Sequence, residues 1–270
     1  MRALAWFWVA VLLLAGGVVG ALAWLGPPAR PVAAVAARFP ARVPPSTPAP
    51  LAAAAPAPSP AHAPRVAVLV AGIGMIASDT QAAIASLPAV VSLAVSPYAP
   101  DPAAIAKEAR AAGHEVILSL PMQPAGGASA SAGDEALTTG QKASVTAARL
   151  AWALGRVPHV AGTTSLLGRR LDGAAFVASP ALVAVTDALA TRHLWFLDAR
   201  QITMLDAPGG TLAQGLDNLV ARARQQGSAI GAIGAPSPNS VAALEGLLPM
   251  LAKRGVRLVP VGQIMTAQKQ

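Results

Sequence analysis

A glycine turn after an apolar run is the first feature of the sequence that suggests a chemistry. Residues 67–79 read AVLVAGIGMIASD, in which Gly72, Gly74 and Ala77 have the G-x-G-x-x-A spacing of a dinucleotide-binding turn. In such a turn, backbone N–H groups at the start of the following helix face a pyrophosphate. The same fold needs an acid at the end of the next strand, about 20 residues on, to bind the ribose hydroxyls. Ser96 stands there, so only half of the fingerprint for NAD or NADP is present.

Other catalytic patterns are scarce. The chain has no cysteine, which excludes disulfides, thiolate metal sites and cysteine nucleophiles. It contains no G-x-S-x-G, H-E-x-x-H or S-x-x-K motif, so serine and zinc peptidase interpretations lack their anchors. Asp198 is the only acid predicted at the carboxyl end of a strand, and we expect it either to line a sugar-binding cleft with Arg200 or to form a structural ion pair with Arg200 or Arg170. His114, His159 and His193 fall at predicted strand starts, where we expect surface or capping roles.

Beyond Arg65, short apolar runs alternate with helical patterns, as they do in parallel β/α units. The predicted strands are 66–70, 91–95, 115–120, 160–164, 194–197, 229–233 and 257–261, and the predicted helices are 102–112, with Asp101 as its N-cap, 142–154, 180–190, 216–225 and 240–253. A doubly wound sheet and an incomplete β/α barrel both agree with this alternation. Both place the chemistry at the carboxyl ends of the strands. The positions to inspect are therefore Ala71, Gly72, Ser96, Ser119, Ser165, Asp198, Gly234 and Ala235.

A series of short landmarks follows in a fixed order along residues 65–270. Among them are Ile73-Gly74, Pro97-Tyr98-Ala99-Pro100, Leu120-Pro121-Met122, Phe196-Leu197-Asp198 and Ile233-Gly234. In order and spacing they make this region similar to the divergent polysaccharide deacetylase family, a bacterial envelope branch of the carbohydrate deacetylases. The resemblance implies an α/β fold, an incomplete (β/α)7 barrel, and a divalent metal that activates water for deacetylation.

Five positions depart from the pattern of that family. Its first strand ends in two aspartates where this chain has Ala71 and Gly72, and its histidine before Leu-Pro-Met is Ser119 here. Its two later histidines correspond to Leu166 and Ala235. Alanine, glycine and leucine offer no side-chain lone pair to a metal ion. We therefore expect neither metal nor cofactor, and a catalytically inactive module that binds a glycan or an envelope protein.

Some polar and flexible side chains remain near these positions. The candidate cleft residues are Ser119, Met122, Arg170, Asp198 and Arg200. One alternative is an active deacetylase whose unusual site uses Ser119, Asp198 and backbone groups. The other is dinucleotide binding at the turn of Gly72 and Gly74.

The net charge of +8 does not indicate a nucleic-acid partner. Four arginines and no acid lie in the first 64 residues, so half of the excess positive charge falls outside the globular part. Only five aromatic residues follow residue 64, and the basic residues there are scattered. Nucleic-acid binders instead cluster Lys and Arg with aromatics on one face. We expect no nucleic-acid binding.

The amino terminus predicts a membrane anchor over residues 1–25. Residues 3–25 carry no charge and, at about 1.5 Å per residue, form a helix long enough for a hydrocarbon layer of about 30 Å. A cleaved signal peptide is the alternative, because Ala-x-Ala sites end at Ala23 and Ala36, although its apolar region is usually about 7 to 15 residues long. Gly16 and Gly20 form a G-x-x-x-G pair that suggests a weak homodimer.

Residues 26–64 are rich in proline and alanine, which predicts an extended linker between the anchor and a deacetylase-like domain at 65–270. With the resemblance, this organisation suggests a single-pass protein of the bacterial inner membrane with its globular domain in the periplasm. Arginines on both sides of the apolar segment leave its orientation open by charge.

Overall fold

A computed structural model describes residues 63–126, 131–168 and 172–268. The predicted anchor at 1–25, the pair Gly16 and Gly20, nearly all of the predicted linker and Arg170 lie outside the described residues. Within those three ranges, no helix combines the length and the apolar character that a membrane crossing requires.

The framework is a curled sheet whose strands, in the described ranges, pair in parallel. The strands are β1 (Arg65–Ile73), β2 (Ser92–Val95), β3 (Val116–Ser119), β4 (Gly162–Thr164), β5 (Trp195–Leu197), β6 (Ile202–Met204), β7 (Ser228–Ile233) and β8 (Arg257–Leu258). Their order is β5-β4-β3-β2-β1-β7-β6, and the short β8 pairs with the start of β1. Strands β2 to β5 follow one another on one side of β1, and β7 and β6 lie on its other side. The two edges of the sheet are therefore β5 and β6. This order is that of a half-barrel of seven strands and not that of a doubly wound sheet.

Helices connect most of the strands. They are α1 (Ala77–Ser86), α2 (Pro102–Ala111), α3 (Ala143–Arg156), α4 (Ala174–Val177), α5 (Ala181–Ala190), α6 (Leu212–Gln226), α7 (Pro238–Leu247), α8 (Met250–Lys253) and α9 (Val261–Ala267), with a 3-10 turn at Ala199–Gln201. Local signals fix several starts. The Asp101 carboxylate accepts a hydrogen bond from Ala104 N at 3.0 Å, which confirms the predicted N-cap of α2. Thr211 and Ser237 cap α6 and α7 with reciprocal capping boxes.

The sheet separates two apolar layers. In β1, Ala67, Leu69 and Ala71 belong to the cluster on the inner face, whereas Val66 and Val68 alternate with them and pack with the surrounding helices. The inner cluster also contains residues of β2, β3, β5, β6 and β7, of the loop after β4, and of α9. Its further members include Ile117, Leu166, Trp195, Leu197, Ile230 and Ala232.

Helix α9 is fastened to the amino ends of β2 and β3. Val261 N donates to Ser92 Oγ at 3.0 Å, and Gly262 N donates to the Glu115 carboxylate at 3.1 Å. Ser92 Oγ in turn donates to Glu115 Oε2 at 2.6 Å. Glu115 therefore has a structural role, because its negative charge lies at the positive end of a helix.

The last predicted strand, 257–261, is wrong in its second half. The strand ends at Leu258, Pro260 has no N–H to donate to a neighbour, and α9 begins at Val261. The sequence prediction gave no bounds for α1, and it omitted β6, a strand of three residues, and α4, a helix of four. Segments this short contain too few residues for a periodicity to be seen.

His114 corrects the expectation that all three histidines of the globular part are surface or capping residues. It is buried, with Nδ1 at 2.9 Å from Val91 O and Nε2 at 3.2 Å from Ile84 O. Two backbone carbonyls directed at its ring explain why a polar side chain occupies this position. His159 and His193 are exposed and have positive φ angles of 57° and 59° in the turns before β4 and β5.

Candidate functional site

A cleft of about 170 Å³ opens at the carboxyl ends of β1, β4 and β7. Three loops form it, because parallel strands bring their carboxyl ends to the same edge of the sheet. Gly72 comes from the end of β1, Leu167 and Gly168 follow β4, and the segment after β7 supplies the opposite wall. The lining residues are Gly72, Met75, Ile76, Asp79, Leu167, Gly168, Gly234, Ala235 and Pro236.

The walls of this cleft approach each other at Gly72. A Cβ atom added there would lie 3.4 Å from Gly234 O, 3.5 Å from Pro236 Cδ and 3.6 Å from Ala235 Cα. Gly72 also has φ +76°, a conformation in which any L side chain is strained. The structure thus brings together Gly72 and Ala235, two of the five positions that depart from the family pattern.

The other three departing positions lie deeper. Ala71 and Leu166 are almost fully buried in the same inner cluster. Ser119 ends β3 opposite Thr164 of β4, and its side chain is fully buried. Its Oγ is the one buried side-chain polar atom in the described ranges that has no hydrogen-bond partner.

Four of the five candidate cleft residues chosen from the sequence, Ser119, Met122, Asp198 and Arg200, are described by the structure, and none of them lines this opening. Met122 is buried in the layer between sheet and helices, and a Cβ on Gly173 would lie 2.7 Å from its Cβ. Asp198 accepts hydrogen bonds from Arg200 N and Nε, both at 2.8 Å, and Arg200 Nη2 lies 2.6 Å from Asp198 Oδ2. That hydrogen-bonded carboxylate raises the pKa of the Arg200 guanidinium. Asp198 and Arg200 thus form an ion pair, and neither residue lines the cleft.

Two acids near the site were missed by the sequence reasoning. Asp79, in the first turn of α1, lines the cleft and is only 8% exposed. Asp206 follows β6, and its carboxylate accepts hydrogen bonds from Gly234 N at 3.2 and 3.3 Å. Asp198 is therefore not the only acid at the carboxyl end of a strand. A helix start after the glycine turn could have indicated Asp79, whereas Asp206 follows a strand too short to predict.

The residues at the cleft do not fit a divalent metal. Such an ion requires several imidazole or carboxylate donors that converge on one point. Asp79 is the only ionisable residue among the described residues that line the cleft, and its carboxylate already accepts a hydrogen bond from Ser78 Oγ at 3.2 Å. Across the three described ranges, no group of three or more His, Cys, Asp or Glu side chains is placed to hold an ion.

The backbone of the glycine turn has hydrogen-bond partners within the chain. Gly74 N donates to Thr80 Oγ1 at 2.8 Å, and Met75 N donates to Gly72 O at 3.2 Å. A Cβ on Gly74 would lie 2.5 Å from Ala99 Cβ, so close packing requires a glycine there. The spacing that resembles a dinucleotide turn is thus accounted for by local hydrogen bonds and packing.

Comparison with known proteins agrees with this fold. A model of the family described as divergent polysaccharide deacetylase matches residues 68–208 and 206–265. An uncharacterized protein of Haemophilus influenzae is 28% identical, over 76% of this chain and 78% of its own length. The crystal structure of an uncharacterized protein from Agrobacterium tumefaciens C58 has a TM-score of 0.60 at 24% identity, over 76% of this chain and 91% of that one, and indicates the fold alone. Since the family model covers well over half of the sequence, the chain belongs to the divergent polysaccharide deacetylase family.

Proposed function

We propose that this protein is a binding module with the deacetylase fold that neither holds a divalent metal nor hydrolyses acetamides. The observation that carries the proposal is the composition of the cleft. At the edge where the family pattern has aspartates and histidines, its walls consist of glycine, alanine and other apolar residues, with Asp79 as the only ionisable lining residue described.

Metal-assisted deacetylation needs a bound ion, a water whose pKa the ion lowers, and a base that takes the proton. Gly72 and Ala235 supply neither a ligand nor a base at the cleft. Ala71 and Leu166 pack in the apolar interior beneath it. The residues that line the cleft can exclude water from a bound group, which favours binding over hydrolysis.

The alternative of an active but unusual site rests on Ser119 and Asp198. Ser119 is fully buried, so a substrate cannot reach its hydroxyl without rearrangement of the sheet. Asp198 accepts hydrogen bonds through both carboxylate oxygens from Arg200. A base engaged in this way is poorly placed to accept a proton from water. The geometry therefore favours the inactive module.

The test is metal content and acetate release of the full-length protein. We expect no stoichiometric zinc or similar metal by mass spectrometry of the purified chain, and no acetate from N-acetylated chito-oligosaccharides with added divalent ions. Bound metal together with metal-dependent acetate release would overturn the proposal. If acetate is released, the variant Asp198→Ala tests the alternative site. Loss of turnover in a variant that stays folded would show that the activity depends on Asp198.

The cellular setting is a second part of the proposal and is supported by the sequence. Residues 1–25 would anchor the protein in the bacterial inner membrane, and residues 26–64 would space the domain from the bilayer on the periplasmic side. A reporter that folds only after export should be active when it is fused to the carboxyl terminus, and a reporter that folds only in the cytoplasm should be inactive there. Activity of a reporter that folds only in the cytoplasm would contradict this orientation.

A further inference from the structure

We propose that the cleft binds one aromatic or branched aliphatic side chain of a protein partner, and that Asp79 pairs with a lysine or arginine of the partner close to that side chain. This inference rests on the proposed function, since it names the class of ligand that an inactive cleft would bind. Three observations lead to it: the size of the cleft, the exposed apolar residues at its rim, and Asp79, the one acid among the described lining residues.

The size and the lining of the cleft suit a single apolar group. A cavity of about 150 Å³ lined by apolar side chains binds a benzene molecule, and this cleft has a volume of about 170 Å³. A phenyl ring or a leucine side chain would therefore fill it. Burial of such a group in a pocket is the usual anchor of a protein interface.

The rim of the cleft extends the apolar surface outward. Met75 and Ile76 are 58% and 57% exposed, although both are large apolar residues at the start of α1. Exposed apolar residues beside a pocket are typical of an interaction surface, and methionine adapts its shape to different partners. An extended peptide that placed an anchor in the cleft would cover these two side chains.

Asp79 is the charged residue in the part of the cleft that the structure describes. Its side chain is largely buried, and Ser78 Oγ supplies the one hydrogen bond that its carboxylate accepts within the described ranges. A partner cation at the mouth of the cleft would complement this charge, and a partner acid there would be repelled. The amino-terminal end of α1 already offsets part of the negative charge, so we expect a modest gain from the ion pair.

A glycan suits this cleft less well than a peptide. A sugar ring carries hydroxyl groups that need hydrogen-bond partners when they leave water, and each unpaired group is costly. Asp79 is the only ionisable residue among the described lining residues, and no aromatic ring lies among them. An oligosaccharide is therefore the competing ligand that the experiment includes.

The experiment is a methyl NMR titration of the full-length chain labelled at methionine. The probe is acetyl-Phe-Ala-Lys-amide, in which an extended backbone puts the ring and the ammonium on one face, and its matched analogue carries Nε-acetyl-lysine. We expect the Met75 methyl to shift and that of Met250, also exposed, to stay unchanged. The charged peptide should bind about five-fold more tightly than its neutral analogue, the ratio that corresponds to about 1 kcal/mol for a partly exposed ion pair.

Variants separate the two contacts. Asp79→Asn should weaken the lysine peptide about five-fold and leave the acetyl-lysine peptide unchanged, whereas Asp187→Asn, at an exposed position on α5, should alter neither. Ala235→Leu should abolish the Met75 shift, because position 235 is exposed and a larger side chain there can occupy the cleft.

Four results would overturn the inference: equal affinity for the two peptides, an effect of Asp79→Asn on both of them, a Met75 shift that survives Ala235→Leu, and a Met75 shift with N-acetylated chito-oligosaccharide but with neither peptide. The last of these would leave the proposed function intact, because a glycan would then be the ligand. Failure of the proposed function is a separate observation, the metal-dependent release of acetate.

Discussion

Replacement of Ser119 by alanine should stabilise the protein. The Ser119 hydroxyl is fully buried at the end of β3 and has no hydrogen-bond partner among the described residues. Removing a buried polar group that lacks a partner recovers a desolvation cost of about 1 to 3 kcal/mol. The void left by one oxygen atom reduces this gain in stability by roughly 0.3 kcal/mol, at about 24 cal/mol per Å³ of cavity. We therefore expect the free energy of unfolding to rise by about 1 kcal/mol.

Ser165→Ala is the matched control, since Ser165 is equally buried in the loop after β4. Its Oγ accepts a hydrogen bond from Ala199 N at 2.9 Å, so the alanine variant leaves that N–H without a partner. We expect a loss of about 1 to 2 kcal/mol. The same chemical change at two buried serines should thus have opposite signs.

The assay is urea unfolding of the full-length protein. An unchanged m value would show that the substitution changes the free energy of unfolding and not the surface exposed on unfolding. A rise of about 1 kcal/mol corresponds to roughly 2 to 4 °C in Tm for a domain of this size. A Ser119→Ala variant that is destabilised as much as Ser165→Ala would refute the reasoning. The Ser119 hydroxyl would then have a partner, such as an ordered water, and the interior beneath the cleft would be wetter than its apolar neighbours indicate.

Three further predictions test the framework around the cleft. Glu115→Ala should lower the free energy of unfolding by about 2 to 3 kcal/mol in urea titrations, because Ser92 Oγ and the start of α9 lose a charged acceptor. Gly74→Ala should lower the free energy of unfolding by about 2 to 4 kcal/mol, because backbone strain at φ +94° adds to a 2.5 Å approach to Ala99 Cβ. The control Gly140→Ala has φ +79° but open space around the new Cβ, and should lower it by about 1 kcal/mol in the same assay. Millimolar NAD or NADP should leave the Tm unchanged, and a clear upward shift would restore the dinucleotide interpretation.

The sequence predicted the strands at the centre of the sheet and the start of α2, whereas it placed the starts of α6 and α7 at residues 216 and 240, after their capping boxes. The run before Gly72 is long and apolar, and Asp101-Pro102 is a typical helix start, so both were recognised. The choice between a doubly wound sheet and a barrel stayed open, because the neighbour of a strand depends on contacts far along the chain. The pairing of Arg65 in β1 with Ser228 in β7 is one such contact between residues far apart in the sequence.

The candidate site was predicted in part. The resemblance selected Gly72 and Ala235, which line one cleft, but it could not show that Ser119 and Met122 are buried. A helix start after the glycine turn could indicate the place of Asp79 on α1, but not that it lines a cleft together with Leu167 and Ala235. Burial and proximity of this kind are properties of the packed chain and leave no local pattern in the sequence.

The pairing of β1 also affects how the domain folds while the chain is being synthesised. This strand is the first of the sheet to leave the ribosome, yet the neighbour that covers six of its residues, β7, follows about 150 residues later. Until then, the apolar segment RVAVLVAGI has one open edge, which is the form in which strands associate with other chains. The centre of the sheet therefore stays incomplete until β7 has been made, and during that time the open edge of β1 can pair with other chains.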